Sequence, residues 1–228
     1  MNSLAAYFVA GTDTGVGKTR VTAGLLAAGR SEGLNVAGMK PVAAGAERHD
    51  GRYFSEDAGL IAASSGQSTP YELLNPYCLP DPVSPHIAAK RVNIALDIDL
   101  IVTNARMIAA DRALFLVEGA GGWYAPISDR ESMADVAVAL GFPVLLVVGL
   151  KLGCLNHARL TREAIERCGC RFAGWIGSAV DPEFQACDEN LTTLNRLLGA
   201  APLAILPHAY DSTHDATSLH AALDKLLA

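Results

Sequence analysis

The stretch Gly11-Thr12-Asp13-Thr14-Gly15-Val16-Gly17-Lys18-Thr19 limits what this chain can fold into more than any other. The apolar run at 4–10 precedes it and reads as a buried strand, while 21–28 follows with the apolar spacing of a helix. Glycines let a loop in this position turn its N–H groups inward, and the helix behind it presents unpaired N–H groups and a positive dipole end to an anion. Lys18 would reach the outer phosphates of a bound nucleotide, and the Thr19 hydroxyl would ligate Mg²⁺. The pattern G-x-x-x-x-G-K-[ST] asks for glycine at position 12, where this chain has Thr12, with Gly11 one residue early. Only Gly17-Lys18-Thr19 fits to the letter.

The rest of the chain predicts one α/β domain over 1–228, doubly wound, with a mostly parallel sheet and helices on both faces. Strand-like runs at 35–40, 113–118, 143–148, 172–178 and 202–207 alternate with helical patterns at 55–63, 96–110, 132–140, to about 168, at 188–198 and at the C-terminus. Half of the residues are hydrophobic and only 6% aromatic, as expected where helices pack closely on a parallel sheet. The net charge of −6 argues against nucleic acid or an anionic membrane as partner, since both call for clustered Lys and Arg. The five cysteines form neither a CxxC pair nor a His/Cys zinc cluster, so reduced thiols in a cytoplasmic protein are expected. The N-terminus carries no basic segment or small-residue cleavage site, and 142–150 is too short to span a bilayer.

Several residues stand out as candidates. Lys40-Pro41-Val42-Ala43-Ala44-Gly45 follows the second strand as a loop at its carboxyl end, the edge where open parallel sheets bind ligands, which aims Lys40 at the crevice of Lys18. Ser55 caps a helix whose first turn holds Asp57. The stretch 75–86 contains four prolines and reads as a rigid, non-helical excursion ending in a helix start at Ser84-Pro85. Glu118 ends an apolar strand, well placed to hold Mg²⁺, and Gly119-Ala120-Gly121-Gly122 after it would let backbone approach a substrate. The helix start at Gly153-Cys154-Leu155-Asn156 offers backbone donors suited to a carboxylate, while His157 reads as a packing residue.

These motifs together resemble the dethiobiotin synthetase family, a branch of the P-loop NTPases. The likeness covers most of the chain and rests on the phosphate loop, Lys40-Pro41-Val42-Ala43, Asn75-Pro76-Tyr77, Ser84-Pro85-His86, Glu118-Gly119-Ala120-Gly121-Gly122-Trp123, and Gly149-Leu150-Lys151-Leu152-Gly153-Cys154-Leu155-Asn156-His157. The resemblance implies an ATP- and Mg²⁺-dependent ring closure of 7,8-diaminononanoate with CO₂ through a carbamate and its phosphoric anhydride. It implies Lys18, Lys40 and Thr14 as the catalytic set, with Gly15, Val16, Gly17, Lys18, Thr19, Glu118, Gly121, Ser178 and Pro207 on the nucleotide. Arg20, next in the loop, has no assigned role. Thr19, Asp57 and Glu118 would hold Mg²⁺, and Thr14, Lys40, Ala44 and Ser84 would face the diamine. Gly153, Cys154, Leu155 and Asn156 of the neighbouring subunit in a homodimer would receive the substrate's carboxylate, so each active site would be shared. Replacing Lys18 or Lys40 by glutamine is expected to abolish product with the fold intact.

The chain departs from its relatives at three positions. Gly15 stands where some members carry glutamate, and Ala44 where some carry a hydroxyl. Ser178 stands where a well-known form has an asparagine that reads adenine, which predicts weaker discrimination between bases. A nucleotide switch of the partitioning and division-site type shares the scaffold, but it needs a lysine at position 13, where this chain has Asp13, and its membrane-bound members end in a basic amphipathic helix that the tail at 219–228 does not match. A corrinoid-type amidotransferase would need a glutamine-hydrolysing domain and a nucleophilic cysteine, for which the chain ends too early.

Overall fold

The computed structural model describes residues 4–66, 69–208 and 212–228. The chain runs through β1 (Ala5–Gly11), α1 (Lys18–Ser31), β2 (Val36–Met39), β3 (Val42–Ala44), β4 (Glu47–His49), β5 (Arg52–Phe54), α2 (Glu56–Ser65) and α3 (Tyr71–Leu74). It continues through β6 (Tyr77–Leu79), α4 (Pro85–Arg91), α5 (Ile98–Ala109), β7 (Leu114–Glu118), α6 (Met133–Leu140) and β8 (Val144–Leu150). The last elements are α7 (Cys154–Arg167), β9 (Phe172–Ala179), α8 (Cys187–Leu198), β10 (Ala204–Leu206) and α9 (Ser212–Leu227).

The main sheet has the order β10-β9-β8-β1-β7-β2, and every neighbouring pair in it is parallel. Its central strands β7 and β8 are buried along their whole length, which is why they read as unbroken apolar runs. Alternate side chains of β1 feed the two cores. Tyr7 and Val9 pack with α1, α2 and α9 on one face, and Phe8 and Ala10 pack with the helices α4 to α8 on the other. Gly38 lets α2 lie close on β2, since a Cβ there would come within 2.4 Å of Ile61. The doubly wound parallel sheet expected from the alternation is thus the observed architecture.

The chain leaves β1 between β7 and β8, in the middle of the sheet, and crosses to the edge strand β2. The strand order reverses there, and such switch points open a crevice at the carboxyl ends. Register then does the positioning. Val9 lies opposite Glu118 and Met39 opposite Val117, so Lys40, one residue past β2, comes level with Glu118.

One expectation is corrected, and one element was not foreseen. The segment after Lys40 does not stay a loop: β3 pairs in parallel with β6, which lies inside the proline-rich stretch, so both are held as a small two-stranded sheet. Pro41 cannot donate, and its carbonyl accepts from the Tyr77 N–H at 3.2 Å, so the pairing starts beside the proline without needing its missing N–H. A hairpin of β4 and β5 also follows, its six residues all exposed and therefore without an apolar pattern to announce it. No helix among the described residues is long and apolar enough to cross a membrane.

Candidate active site

A cavity of about 750 Å³ opens at the carboxyl edge of β1, β2 and β7. Thr14, Gly15, Gly17, Lys18, Thr19, Lys40, Ala44, Asp57, Ser84, Glu118 and Gly121 all line it, so five separated stretches of sequence converge on one space. The phosphate loop reaches it because Gly17 adopts φ 87°, in the left-handed region that favours glycine, where a Cβ would also sit 2.7 Å from the Ser178 hydroxyl. α1 begins immediately at Lys18 with no side-chain cap, leaving its first N–H groups facing the cavity.

The charges in the cavity are interlocked. Lys40 Nζ lies 2.6 Å from Glu118 Oε1 and 3.2 Å from Asp57, and Thr19 Oγ1 donates to the same Glu118 oxygen at 2.8 Å. Lys40 is 4% exposed and Glu118 fully buried. Burial alone would lower the Lys40 pKa, but the Glu118 and Asp57 carboxylates outweigh it and push the ammonium up. Lys18 Nζ folds back to the Asp13 carbonyl at 2.9 Å. Burial, reinforced by the Lys40 charge, brings Lys18 down to about 8 although Glu118, Asp57 and Asp13 pull the other way. The Asp57 carboxyl is raised by burial but more than offset by Lys40, Thr19 and Lys18, so it stays ionised below the usual carboxylate range.

The donor set fits a hard divalent cation. Thr19, Asp57 and Glu118 supply only oxygen ligands, and Glu118 Oε2 is buried with no hydrogen-bond partner. No group of three or more His, Cys, Asp or Glu side chains that could hold a metal occurs among the described residues. That composition matches Mg²⁺, which commonly binds one or two carboxylates and takes the rest of its shell from phosphates and water.

Not every expected residue meets in this space. The Val16 side chain is 1% exposed and packs under the loop, so only its backbone can serve a ligand. Ser178 is 2% exposed beneath Gly17 and does not line the cavity. Pro207 lies beyond β10, where its carbonyl accepts from Arg20 at 2.7 Å. Arg20 also makes a two-pronged pair with Asp215 at 2.6 Å and so ties α1 to α9, a role that a separation of 195 residues hid from the sequence. Gly153, Cys154, Leu155 and Asn156 lie outside the cavity on this chain, with Gly153 at φ 95° opening α7. Sequence reasoning missed Asn75 as a site support, although its presence in Asn75-Pro76-Tyr77 was the available signal. Its side-chain amide donates to the Lys40 carbonyl at 2.6 Å.

A family described as an AAA domain matches residues 5–216. An ATP-dependent dethiobiotin synthetase BioD from Chromohalobacter salexigens is 46% identical over 232 aligned positions, covering 98% of both chains. The chain belongs to the dethiobiotin synthetase family. A second family member of the same name, from Aromatoleum aromaticum, is 46% identical over 203 residues, 89% of this chain and 90% of its own. Among solved structures, septum site-determining MinD complexed with Mg-ADP from Pyrococcus horikoshii superposes with a TM-score of 0.62 at 15% identity, covering 97% of this chain and 95% of that one. The MinC:MinD complex of Aquifex aeolicus gives 0.61 at 17% identity with the same coverage. These distant likenesses show the fold alone: the chain shares the sheet architecture of the division-site ATPases. At position 13 this family member has an aspartate, its carboxylate 3.3 Å from Lys151.

Proposed function

We propose that this chain makes dethiobiotin, ADP and phosphate from 7,8-diaminononanoate, CO₂ and ATP with Mg²⁺, through a carbamate and a carbamic-phosphoric anhydride. One amine attacks CO₂ and loses a proton to give the carbamate. A carbamate oxygen then attacks the γ-phosphorus, ADP leaves, and the second amine closes the ring on the carbonyl carbon with release of phosphate. Phosphoryl transfer of this kind needs positioning and charge neutralisation more than covalent help. The observation that carries the reading is the convergence of Lys18, Lys40, Thr19, Asp57 and Glu118 on one cavity in a chain of this family.

Lys18 would swing from the Asp13 carbonyl onto the outer phosphates. Lys40 would lean from its carboxylate partners toward the carbamate and the transferred phosphoryl group. Thr19, Asp57 and Glu118 would hold Mg²⁺, which when bound supplies positive charge to the phosphate oxygens. Thr14 and Ser84, which both line the cavity, would offer hydroxyls to the diamine, and Ala44 offers none. The substrate's own amines serve as bases.

The carboxylate end of the diamine would reach Gly153, Cys154, Leu155 and Asn156 of a second copy, making a cytoplasmic homodimer with shared sites. Leu152, 91% exposed at the head of α7, supports that reading as an apolar residue without cover on this chain. The test is to incubate the protein with diaminononanoate, bicarbonate, Mg²⁺ and ATP and follow the ureido product by mass. Product formation that requires all four supports the assignment. ATP turnover without that product refutes it.

A further inference from the structure

Lys40 and Asp57 come from segments with no direct strand pairing between them, and the Lys40 side chain is the last link in a longer chain of contacts. The backbone of Lys40 is held on both sides by one short element. Its N–H donates to the Leu74 carbonyl at 3.0 Å, and its own carbonyl accepts from Asn75 Nδ2 at 2.6 Å. Asn75 is 2% exposed, and its other amide atom, Oδ1, accepts from the Tyr71 hydroxyl at 3.0 Å. That hydroxyl in turn accepts from the Ser55 N–H at 2.8 Å, and Ser55 caps the helix whose second residue is Asp57. The Tyr71 ring is fixed from the side by Phe54, stacked at 5.1 Å between centroids and 20° between planes. Burial, moderated by the Ser55 N–H and reinforced by Cys78, keeps the phenol neutral and able to both donate and accept.

From this geometry we infer that Tyr71 and Asn75 are positioning residues that set the Lys40–Asp57 spacing, and with it the hold on a divalent cation and a triphosphate. With its N–H and C=O both pinned, Lys40 has only its side-chain torsions with which to move between Glu118, Asp57 and an anionic ligand. Asp57 is likewise fixed by the helix start that Tyr71 anchors. Each member of the chain has its partners satisfied, so the network rigidifies the site, and loss of one link is felt at both ends. Neither Tyr71 nor Asn75 lines the cavity, so neither touches the reacting atoms.

This inference rests on the phosphate-site reading above, and its test keeps the two apart by using nucleotide binding as well as turnover. Tyr71→Phe keeps the stacked ring and removes only the hydroxyl. Titration of Mg²⁺ against a fluorescent, non-hydrolysable ATP analogue is expected to give a half-saturating Mg²⁺ about fivefold to tenfold higher than wild type, the scale of one lost buried hydrogen bond. Asn75→Ala should do the same from the other end, and the double variant should shift little further because one chain has been cut twice. Turnover at saturating Mg²⁺ should fall less than turnover at low Mg²⁺. An unchanged half-saturation in Tyr71→Phe, or additive shifts in the double variant, would overturn the inference whatever happens to thermal stability. Failure of the wild-type protein to form the ureido product would instead sink the proposed reaction, while leaving this binding result readable.

Discussion

Replacing Lys40 by methionine tests how the site is held together, because it removes the cation facing a carboxylate with no access to water. Glu118 is fully buried; without Lys40 its Oε1 keeps only the Thr19 hydroxyl, and Oε2 already lacks a partner. Breaking a buried pair by removing one member costs about 3–5 kcal/mol, because the remaining charge is left uncompensated. Lys18 lies close enough to Glu118 to soften that loss, and Asp57, half exposed, can turn its own unpaired carboxylate to water, so the lower end applies. At this chain length each kcal/mol moves the midpoint by roughly 2–4 °C, so the expected drop is about 6–12 °C. The assay is thermal unfolding without Mg²⁺ or nucleotide, on Lys40→Met, Glu118→Gln and the double variant. The double variant should recover most of the loss, since a neutral amide leaves no orphaned charge. A Lys40→Met midpoint within about 2 °C of wild type, or a double variant less stable than either single one, would refute the reasoning. A Lys40 replacement is thus expected to lower stability as well as turnover.

Nucleotide affinity should depend on pH through Lys18. Its ammonium titrates near 8 in the folded protein against 10.5 in the unfolded chain, so raising the pH through 8 discharges it and weakens its grip on phosphate. The dissociation constant of an ATP analogue should climb by up to about tenfold per pH unit above 8, and Lys18→Arg should flatten the climb. A flat profile from pH 7 to 9.5 in the wild-type protein would contradict the burial argument. The same shift adds stability as pH rises between about 8 and 10.5, where the unfolded chain binds more protons than the folded one. Leu152→Asp should convert the proposed dimer to a monomer in light-scattering measurements and lower turnover at least tenfold on the shared-site reading. A fully active monomer would remove the shared site.

The parts of this molecule that were legible in the sequence are those where local pattern and global fold agree. The phosphate loop sits between a strand and a helix because its glycines, its flanking apolar runs and its lysine all ask for the same geometry. Glu118 could be recognised because an acid ending a buried apolar strand needs a charged partner or ligand to hold it there. The β4–β5 hairpin could not, because six exposed residues carry no alternation of burial. Arg20 was illegible for a different reason, since its partners lie near the far end of the chain.

The closeness of Lys40 and Glu118 belongs to a third kind. Each residue was suspect alone, but their 2.6 Å contact follows from β7 lying between β1 and β2 with Met39 opposite Val117. A shift of that register by one residue would turn the Lys40 side chain to the other face of the sheet. The packing on the two faces of β2 and β7 forbids the slip, because it would turn Met39 and Val117, both wholly buried, out of one core and into the other, where Leu26 and Ile61 already lie against Gly38. The core packing of the sheet is therefore what fixes the charge geometry at its edge, and a cavity-forming change such as Val117→Ala should loosen the site before it unfolds the domain.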